Sequence, residues 1–295
     1  MSPSVRSERI TRITSEIARR VGRMDPPKLL YELILEVVTD LDFRANEFDD
    51  GSVEEIAADL QEPVVRVLWN QQSAHDQHIP TYEIFGSSLE YIRGASRADP
   101  TLDDDTNTVR ARRLHIDQVQ AELQQLKWQE FEDACGTVLN LLGCIKPTVS
   151  PRSGDGGIDF YGLLKLENRL DNFNPLGGFD QDLCVWLVGQ AKHYSGKVGT
   201  AVVRELVGSV ELARTRGTSK VWPDLHLRAF DPVVLLVFTT GEFSEDALSL
   251  LKDSGVQFMD GFQFAKFLTD NGVGLTDLEN FQKEQFRNAL LRKDC

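Results

Sequence analysis

The spacing of hydrophobic positions changes near residue 100 and divides the chain into two regions. Before this point the spacing is helical, as in residues 27–41, where leucine, isoleucine and valine recur every three or four positions. After it, helical segments alternate with short apolar runs, of which 183–191 and 233–238 are the clearest. Runs of this kind are typical of strands buried on both faces. The second region therefore predicts an α/β fold with a mixed sheet flanked by helices.

The first region predicts a mainly helical module. Ser52 and Glu55 have the spacing of a capping box, which predicts a helix start, and Pro63 predicts the start of another short helix. Residues 82–93 predict a hairpin around a Gly-Ser turn. Helix, turn, helix and hairpin is the order of a winged helix, a module that binds DNA or protein. Acidic residues make duplex binding unfavourable here, so we expect protein docking or self-association, with DNA reading as the alternative.

Two polar stretches suggest how the chain is organised. Residues 97–107 are acidic and contain proline, which predicts a linker, and residues 168–182 predict a long surface loop. We therefore expect a helical domain for recognition, regulation or assembly over 1–115, an α/β domain over 116–272, and a helical tail over 273–295.

Composition narrows the class of protein. The net charge of −14 argues against coating nucleic acid by bulk attraction, although residues 152–220 are nearly balanced in charge. The longest apolar runs are too short to cross a bilayer, and the first residues do not form an apolar signal core. The four cysteines form no CxxC pair, which disfavours a disulfide framework or a four-cysteine zinc site. We expect a soluble, cytoplasmic protein without a membrane partner.

Three patterns in the second region carry candidate chemistry. A glycine-rich turn over 154–157 leads into a strand that begins near Asp159. The apolar run over 183–191 ends in Gln190 and Lys192, which are two residues apart and so point to one face of a sheet. Glu132 lies near the start of a helix that precedes both strands. Taken singly, these residues are ordinary turn, strand-end and helix positions; their combination indicates a site.

The residue types suit hydrolysis of a phosphodiester. A hard divalent cation is held by oxygen ligands, which Asp159 and Gln190 can supply, with Glu132 as a further ligand. Lys192 can orient the attacking water or stabilise charge on the phosphate. We expect Mg²⁺ as the cofactor, with Mn²⁺ as a substitute. The spacing of Asp155 suits a turn better than a ligand. His75 and His78 lie in a polar stretch, which favours solvated side chains over a metal site.

These fragments resemble the catalytic domain of the Mrr-like type IV restriction endonucleases, in the PD-(D/E)xK nuclease superfamily. The resemblance covers roughly residues 120–270 and is carried by the segments Phe131-Glu132, Gly154-Asp155-Gly156-Gly157-Ile158-Asp159, Gln190-Ala191-Lys192-His193-Tyr194, Val203-Arg204-Glu205-Leu206-Val207-Gly208 and Phe238-Thr239-Thr240-Gly241. It implies a restriction-endonuclease-like fold. It also implies that Asp159, Gln190 and Lys192 form the core of the active site, with Glu132 assisting. Two positions depart from the family pattern: Ala191 replaces a frequent cysteine, and His193 replaces a frequent arginine.

The resemblance and the residues together predict a metal-dependent DNA endonuclease of restriction or anti-phage defence. One active site cuts one strand, so a double-strand break would need a homodimer, a larger assembly or sequential nicking. A protein partner from a defence system is a further expectation. Two alternatives remain open: a DNA repair or recombination nuclease, and a catalytically silent DNA-binding module. We expect the N-terminal domain to decide when or where cleavage occurs.

Overall fold

The computed structural model describes residues 3–41, 52–73, 79–150, 156–166, 183–216, 222 and 224–291. These residues form two compact units, one ending at Leu114 and the other beginning at His115. Within the described ranges, none of the helices combines the length and apolar character needed to cross a bilayer. The expected surface loop over 168–182 lies outside the described residues.

The N-terminal unit is mainly helical. Its elements are, in order, α1 (Pro3–Arg20), β1 (Lys28–Leu29), α2 (Leu30–Asp40), α3 (Val53–Ser73), β2 (Tyr82–Phe85), β3 (Tyr91–Gly94) and α4 (Asp104–Arg112). β1 and β2 pair antiparallel with the two sides of β3, which gives a three-stranded sheet. Ser52 and Glu55 form the expected capping box at the start of α3, with each side chain accepting the other's backbone N–H. The prediction of a mainly helical N-terminal region is confirmed, and the hairpin expected over 82–93 is the antiparallel pair β2 and β3.

The prediction that a separate short helix starts at Pro63 is wrong, because Pro63 lies inside α3. A proline within a helix removes one backbone hydrogen bond and normally disfavours continuation. Here Leu60, Val64 and Leu68 are all fully buried at helical spacing across the proline. Burial of one continuous apolar face therefore outweighs the local cost.

Residues 97–107, where the sequence predicts a linker, form hydrogen-bonded turns and the start of α4. Asp99 accepts hydrogen bonds from Thr101, and Asp103 accepts the backbone N–H of Thr106 as the N-cap of α4. The side-chain amide of Asn107 donates to the backbone oxygen of Asp99. Acidic and polar residues that suggest solvent exposure act here as turn and cap ligands.

The C-terminal unit alternates helices and strands. Its elements are α5 (Ile116–Gln124), α6 (Trp128–Leu141), β4 (Ile145–Val149), β5 (Phe160–Lys165), β6 (Cys184–Lys192), β7 (Lys197–Val198), α7 (Ala201–Arg216), β8 (Val233–Thr239), β9 (Glu242–Phe243), α8 (Glu245–Ser254), β10 (Gln257–Met259), α9 (Gly261–Asp270) and α10 (Lys283–Leu290). The main sheet has the order β10-β8-β6-β5-β4, in which β10, β8 and β6 are parallel and β5 and β4 antiparallel. The predicted mixed sheet flanked by helices is confirmed.

β6 lies at the centre of this sheet, and apolar cores cover both of its faces. Leu187 belongs to one core, with Phe131 of α6 and Phe264 of α9, and Val188 belongs to the other, with Leu206 of α7. This two-sided burial explains the continuous apolar run that ends at residue 191. The predicted C-terminal tail is part of the first core, because Phe286 and Leu290 of α10 are fully buried in it.

Candidate active site

The candidate site lies where the start of β5 meets the end of β6. The two strands are antiparallel, and Phe160 of β5 is opposite Gly189 of β6. The Phe160 ring occupies the space above Gly189, where an added Cβ would lie 2.1 Å from Cζ. Glycine is therefore required there, and it lets β5 begin directly beside Gln190.

Asp159 is buried and fixed against the backbone of β6. Its N–H donates to the Gly189 oxygen over 2.9 Å, and its Oδ2 accepts the Ala191 N–H over 2.7 Å. These two bonds reach the residues on either side of Gln190. The backbone oxygen of Asp159 accepts from the Ser150 N–H, which holds the same segment from the side of β4. The carboxylate thus has a fixed place next to Gln190.

Gln190 contributes a buried oxygen that the described part of the chain leaves unused. The residue is 1% exposed, and its Oε1 accepts no hydrogen bond from any described group. A buried acceptor without a partner costs about 1–3 kcal/mol. Such exceptions are rare in native structures and point to a missing water, ion or ligand. An amide oxygen is a normal ligand for a hard cation.

Lys192 ends β6 two residues after Gln190, so their side chains share one face of the sheet. Its side chain is 23% exposed, and its Nζ lies 3.9 Å from Oε2 of Glu205 on α7. The Lys192 carbonyl oxygen accepts from the Thr239 hydroxyl and the Thr240 N–H. The Thr239-Thr240 pair of the sequence motif therefore fixes the end of the strand that carries the lysine.

Glu132 lies on α6, and its charge affects the same buried thiol, that of Cys135, as the charge of Asp159. The pKa of the buried Cys135 thiol is raised well above its usual value, mainly by burial and further by the negative charges of Asp159 and Glu132. The charges of Glu132 and Asp159 therefore both act on this buried thiol. Glu130 has another role: it accepts the Lys127 N–H as part of a helix cap and approaches Arg287.

Glu205 is a further candidate site residue, which the sequence reasoning did not single out. Besides approaching Lys192, it packs over Gly157, where an added Cβ would lie 3.0 Å from its Cγ and 2.6 Å from the Ser209 hydroxyl. Gly157 has a φ of +85°, so the turn before Asp159 needs glycine for its conformation as well. Glu205 belongs to a fragment that carries the resemblance, but nothing in its spacing relates it to Lys192.

Two further groups complete the neighbourhood. The Nε2 of His193 is buried and has no hydrogen-bond partner among the described groups, and its ring lies 6.0 Å from that of Phe131.

Asp155, His75 and His78 lie outside the described residues. Within the described ranges, no three His, Cys, Asp or Glu side chains form a metal-binding group. The candidate donor set differs from such a group because one of its oxygens comes from a glutamine amide.

Comparison with known proteins shows what the segment that contains this site is similar to. Residues 123–221, roughly a third of the chain, match the family model Mrr_cat, described as a restriction endonuclease. The match includes Glu132, Asp159, Gln190, Lys192 and Glu205. The resemblance to Mrr-type catalytic domains is therefore confirmed for this segment. None of the curated proteins compared with the chain matches it.

Two solved structures are similar to parts of the chain. One is the MspJI restriction endonuclease in complex with a 27-mer oligonucleotide, at 18% identity over 62% of this chain and 38% of that one, with a TM-score of 0.36. The other is the DNA modification-dependent restriction endonuclease AspBHI, at 14% identity over 75% of this chain and 46% of that one, also with a TM-score of 0.36. The matched segments span less than half the length of either relative.

Proposed function

We propose that the chain is a divalent-cation-dependent endonuclease that hydrolyses phosphodiester bonds in DNA, with its active site at the end of β6. One observation carries the proposal: the buried Oε1 of Gln190 has no partner among the described groups, and the Asp159 carboxylate is bonded to the backbone N–H of the next residue, Ala191. An oxygen pair of this kind suits Mg²⁺, and Mn²⁺ as a substitute. The match of the surrounding segment to a restriction-endonuclease family supports the same reading.

The residues would divide the work as follows. Asp159 and Gln190 would hold the cation, with Glu132 as a further carboxylate ligand. A bound divalent cation supplies a water of lowered pKa and offsets charge on the phosphate. The Lys192 ammonium group would orient the attacking water or stabilise the negative charge that develops on the phosphate. Glu205, 3.9 Å from Lys192, would keep that side chain directed into the site.

The biological setting follows from the resemblance. We propose a role in restriction or anti-phage defence, with DNA as the substrate, and a repair or recombination nuclease would use the same chemistry. The N-terminal unit would decide when or where cleavage occurs. Its α3 carries Glu54, Glu55 and Glu62, and its Arg66 is already paired with Glu62, which disfavours duplex binding by that helix. Docking to a second copy or to a defence-system protein fits this charge better.

The test is cleavage of methylated and unmethylated plasmid by the full chain, with Mg²⁺ and with EDTA. We expect nicked or linear product with Mg²⁺ and none with EDTA, and the two plasmids reveal any dependence on modification. A Lys192→Ala preparation purified in the same way controls for contaminating nucleases. Cleavage that persists in EDTA would contradict the cation dependence. DNA binding without cleavage of either plasmid would favour a catalytically silent module.

A further inference from the structure

Helix α7 leaves apolar side chains on its outer face. Its inner face packs on the sheet through buried residues that include Val203, Leu206 and Val210. On the outer side, Val207 is 39% exposed and Leu212 is 40% exposed. Val207 and Leu212 lie on either side of Gly208 along the helix, and all three residues belong to its exposed face.

Among the described residues of one copy, nothing explains the glycine at position 208. It is exposed, and a Cβ built on it would find no described atom within 4 Å. Alanine at an exposed helix interior is about 1 kcal/mol more favourable than glycine. By contrast, Gly136 of α6 faces a methyl group of Val149, which would lie 3.0 Å from an added Cβ. A glycine on an open helix face becomes useful when another backbone approaches it closely.

The charges on this face are arranged to complement a second copy of the same helix. Arg204 and Glu211 are both exposed and are seven residues apart, so they lie on the same side of α7, about 10 Å apart along its axis. Their midpoint falls between Val207 and Gly208. A two-fold axis through this point would place Arg204 of each copy against Glu211 of the other. Among the described side chains none forms an ion pair with Arg204, and Glu211 reaches only Arg214, at 3.9 Å.

We propose that α7 pairs antiparallel with α7 of a second copy of this chain, across a two-fold axis between Val207 and Gly208. The glycine lets the two backbones approach, Val207 of one copy packs on Gly208 of the other, and two Arg204–Glu211 pairs fix the register. One helix pair is smaller than a standard interface of roughly 1,200–2,000 Å², so we expect dissociation in about the micromolar range.

The pairing stands independently of the proposed nuclease activity, but it would serve that activity. Glu205 on the same helix approaches Lys192, so the candidate site lies beside the paired helices in each copy. Two active sites would then act from one assembly, so that both DNA strands are cut without sequential nicking.

The experiment measures the mass of the full chain by sedimentation velocity from about 0.1 to 100 μM, at low salt because the charge pairs are screened. Wild type is expected to shift from monomer to dimer. Gly208→Ala should raise the melting temperature of the dilute monomer while raising the dimer Kd at least tenfold. A purely intramolecular role for this position predicts the first effect without the second.

Charge reversal gives the second arm. Arg204→Glu and Glu211→Arg should each raise the dimer Kd at least tenfold, and the double variant should return it towards wild type. Lys252→Glu, an exposed reversal on α8, is the matched control and should leave the Kd unchanged. A wild-type monomer at every concentration, a Gly208→Ala dimer of unchanged Kd, or failure of the double variant to recover would each overturn the proposal.

Discussion

Two clusters of buried or partly buried polar groups, one in each unit, differ in whether their partners are complete. In the N-terminal unit, Glu83 accepts from Arg93 at 2.9 Å and from Arg110 at 2.7 Å, and Arg93 also bonds Asp99. In the C-terminal unit, the Gln190 oxygen has no described partner, and Lys192 has only a distant one. A complete cluster is explained by folding alone. An incomplete one costs stability that a ligand can recover, which is why we assign chemistry to the second.

The largest expected effect is at the incomplete cluster. Lys192→Ala should lower the DNA cleavage rate by roughly 10²–10³-fold, because it removes the cation that we propose to act on the phosphate. The melting temperature should change little, since the 3.9 Å contact with Glu205 contributes little stability. Lys266→Ala, which breaks only the helical pair with Asp270, is the control. Cleavage by Lys192→Ala at the wild-type rate would remove this lysine from the mechanism.

The complete cluster should respond in the opposite way. Arg93→Ala leaves the Glu83 and Asp99 carboxylates without their shared cation and should lower the free energy of unfolding by about 2–4 kcal/mol. The partial exposure of both carboxylates keeps the loss below that of a fully buried pair. Arg66→Ala, which breaks an exposed pair with Glu62, should cost at most about 0.5 kcal/mol. Urea unfolding measures both. Equal losses in the two variants would show that the Arg93 cluster is not a structural centre.

Gly157 tests the turn that leads into Asp159. Gly157→Ala would force alanine into a φ of +85° and place its Cβ 2.6 Å from the Ser209 hydroxyl. We expect a loss of about 1–3 kcal/mol in the free energy of unfolding. We also expect a lower DNA cleavage rate, because the substitution should shift Asp159 and Glu205. Gly196→Ala, where an added Cβ meets no described atom within 4 Å, should change stability little. A Gly157→Ala variant as stable as Gly196→Ala would contradict the role of this turn.

The smallest effect concerns pH and the N-terminal unit. Burial alone would raise the pKa of Glu83, but hydrogen bonds and charge from Arg110 and Arg93 outweigh it and lower the pKa below its ordinary value of 4.5. The folded state therefore favours the ionised carboxylate. Its contribution is present above about pH 4.5 and is lost as the pH falls through the lowered value. Urea midpoints measured between pH 7 and pH 3 should fall less steeply in Arg93→Ala than in wild type.

The sequence predicts structure well where local pattern and burial agree. The apolar run that ends at Gln190 is the central strand, and the capping box at Ser52 and Glu55 is present. Prediction from the sequence fails where long-range packing determines whether a strand forms. β4 contains Lys146, Pro147 and Thr148, so it shows no strand pattern, and it exists because β5 pairs with it.

The residues of the candidate site also fall into two groups: those whose placement follows from local spacing, and those whose placement depends on long-range contacts. Gln190 and Lys192 share a strand, so their common face follows from their spacing. Asp159 could be placed beside them only through the resemblance, and its hydrogen bonds to β6 are visible only in the structure. Glu205 could not be predicted, since its relation to Lys192 joins a helix to a strand across the fold. The catalytic roles of all these residues stay predictions.

The most direct test of the central claim is calorimetric titration of Mg²⁺ or Mn²⁺ into the full chain and into Gln190→Leu. The leucine keeps the approximate size of the side chain and removes the buried oxygen that lacks a partner. We predict that wild type binds the cation and that Gln190→Leu binds it at least tenfold more weakly without losing thermal stability. Gln257→Leu, at an exposed position of β10, should bind as wild type does. Equal cation affinity in Gln190→Leu and wild type would contradict the assignment of this site.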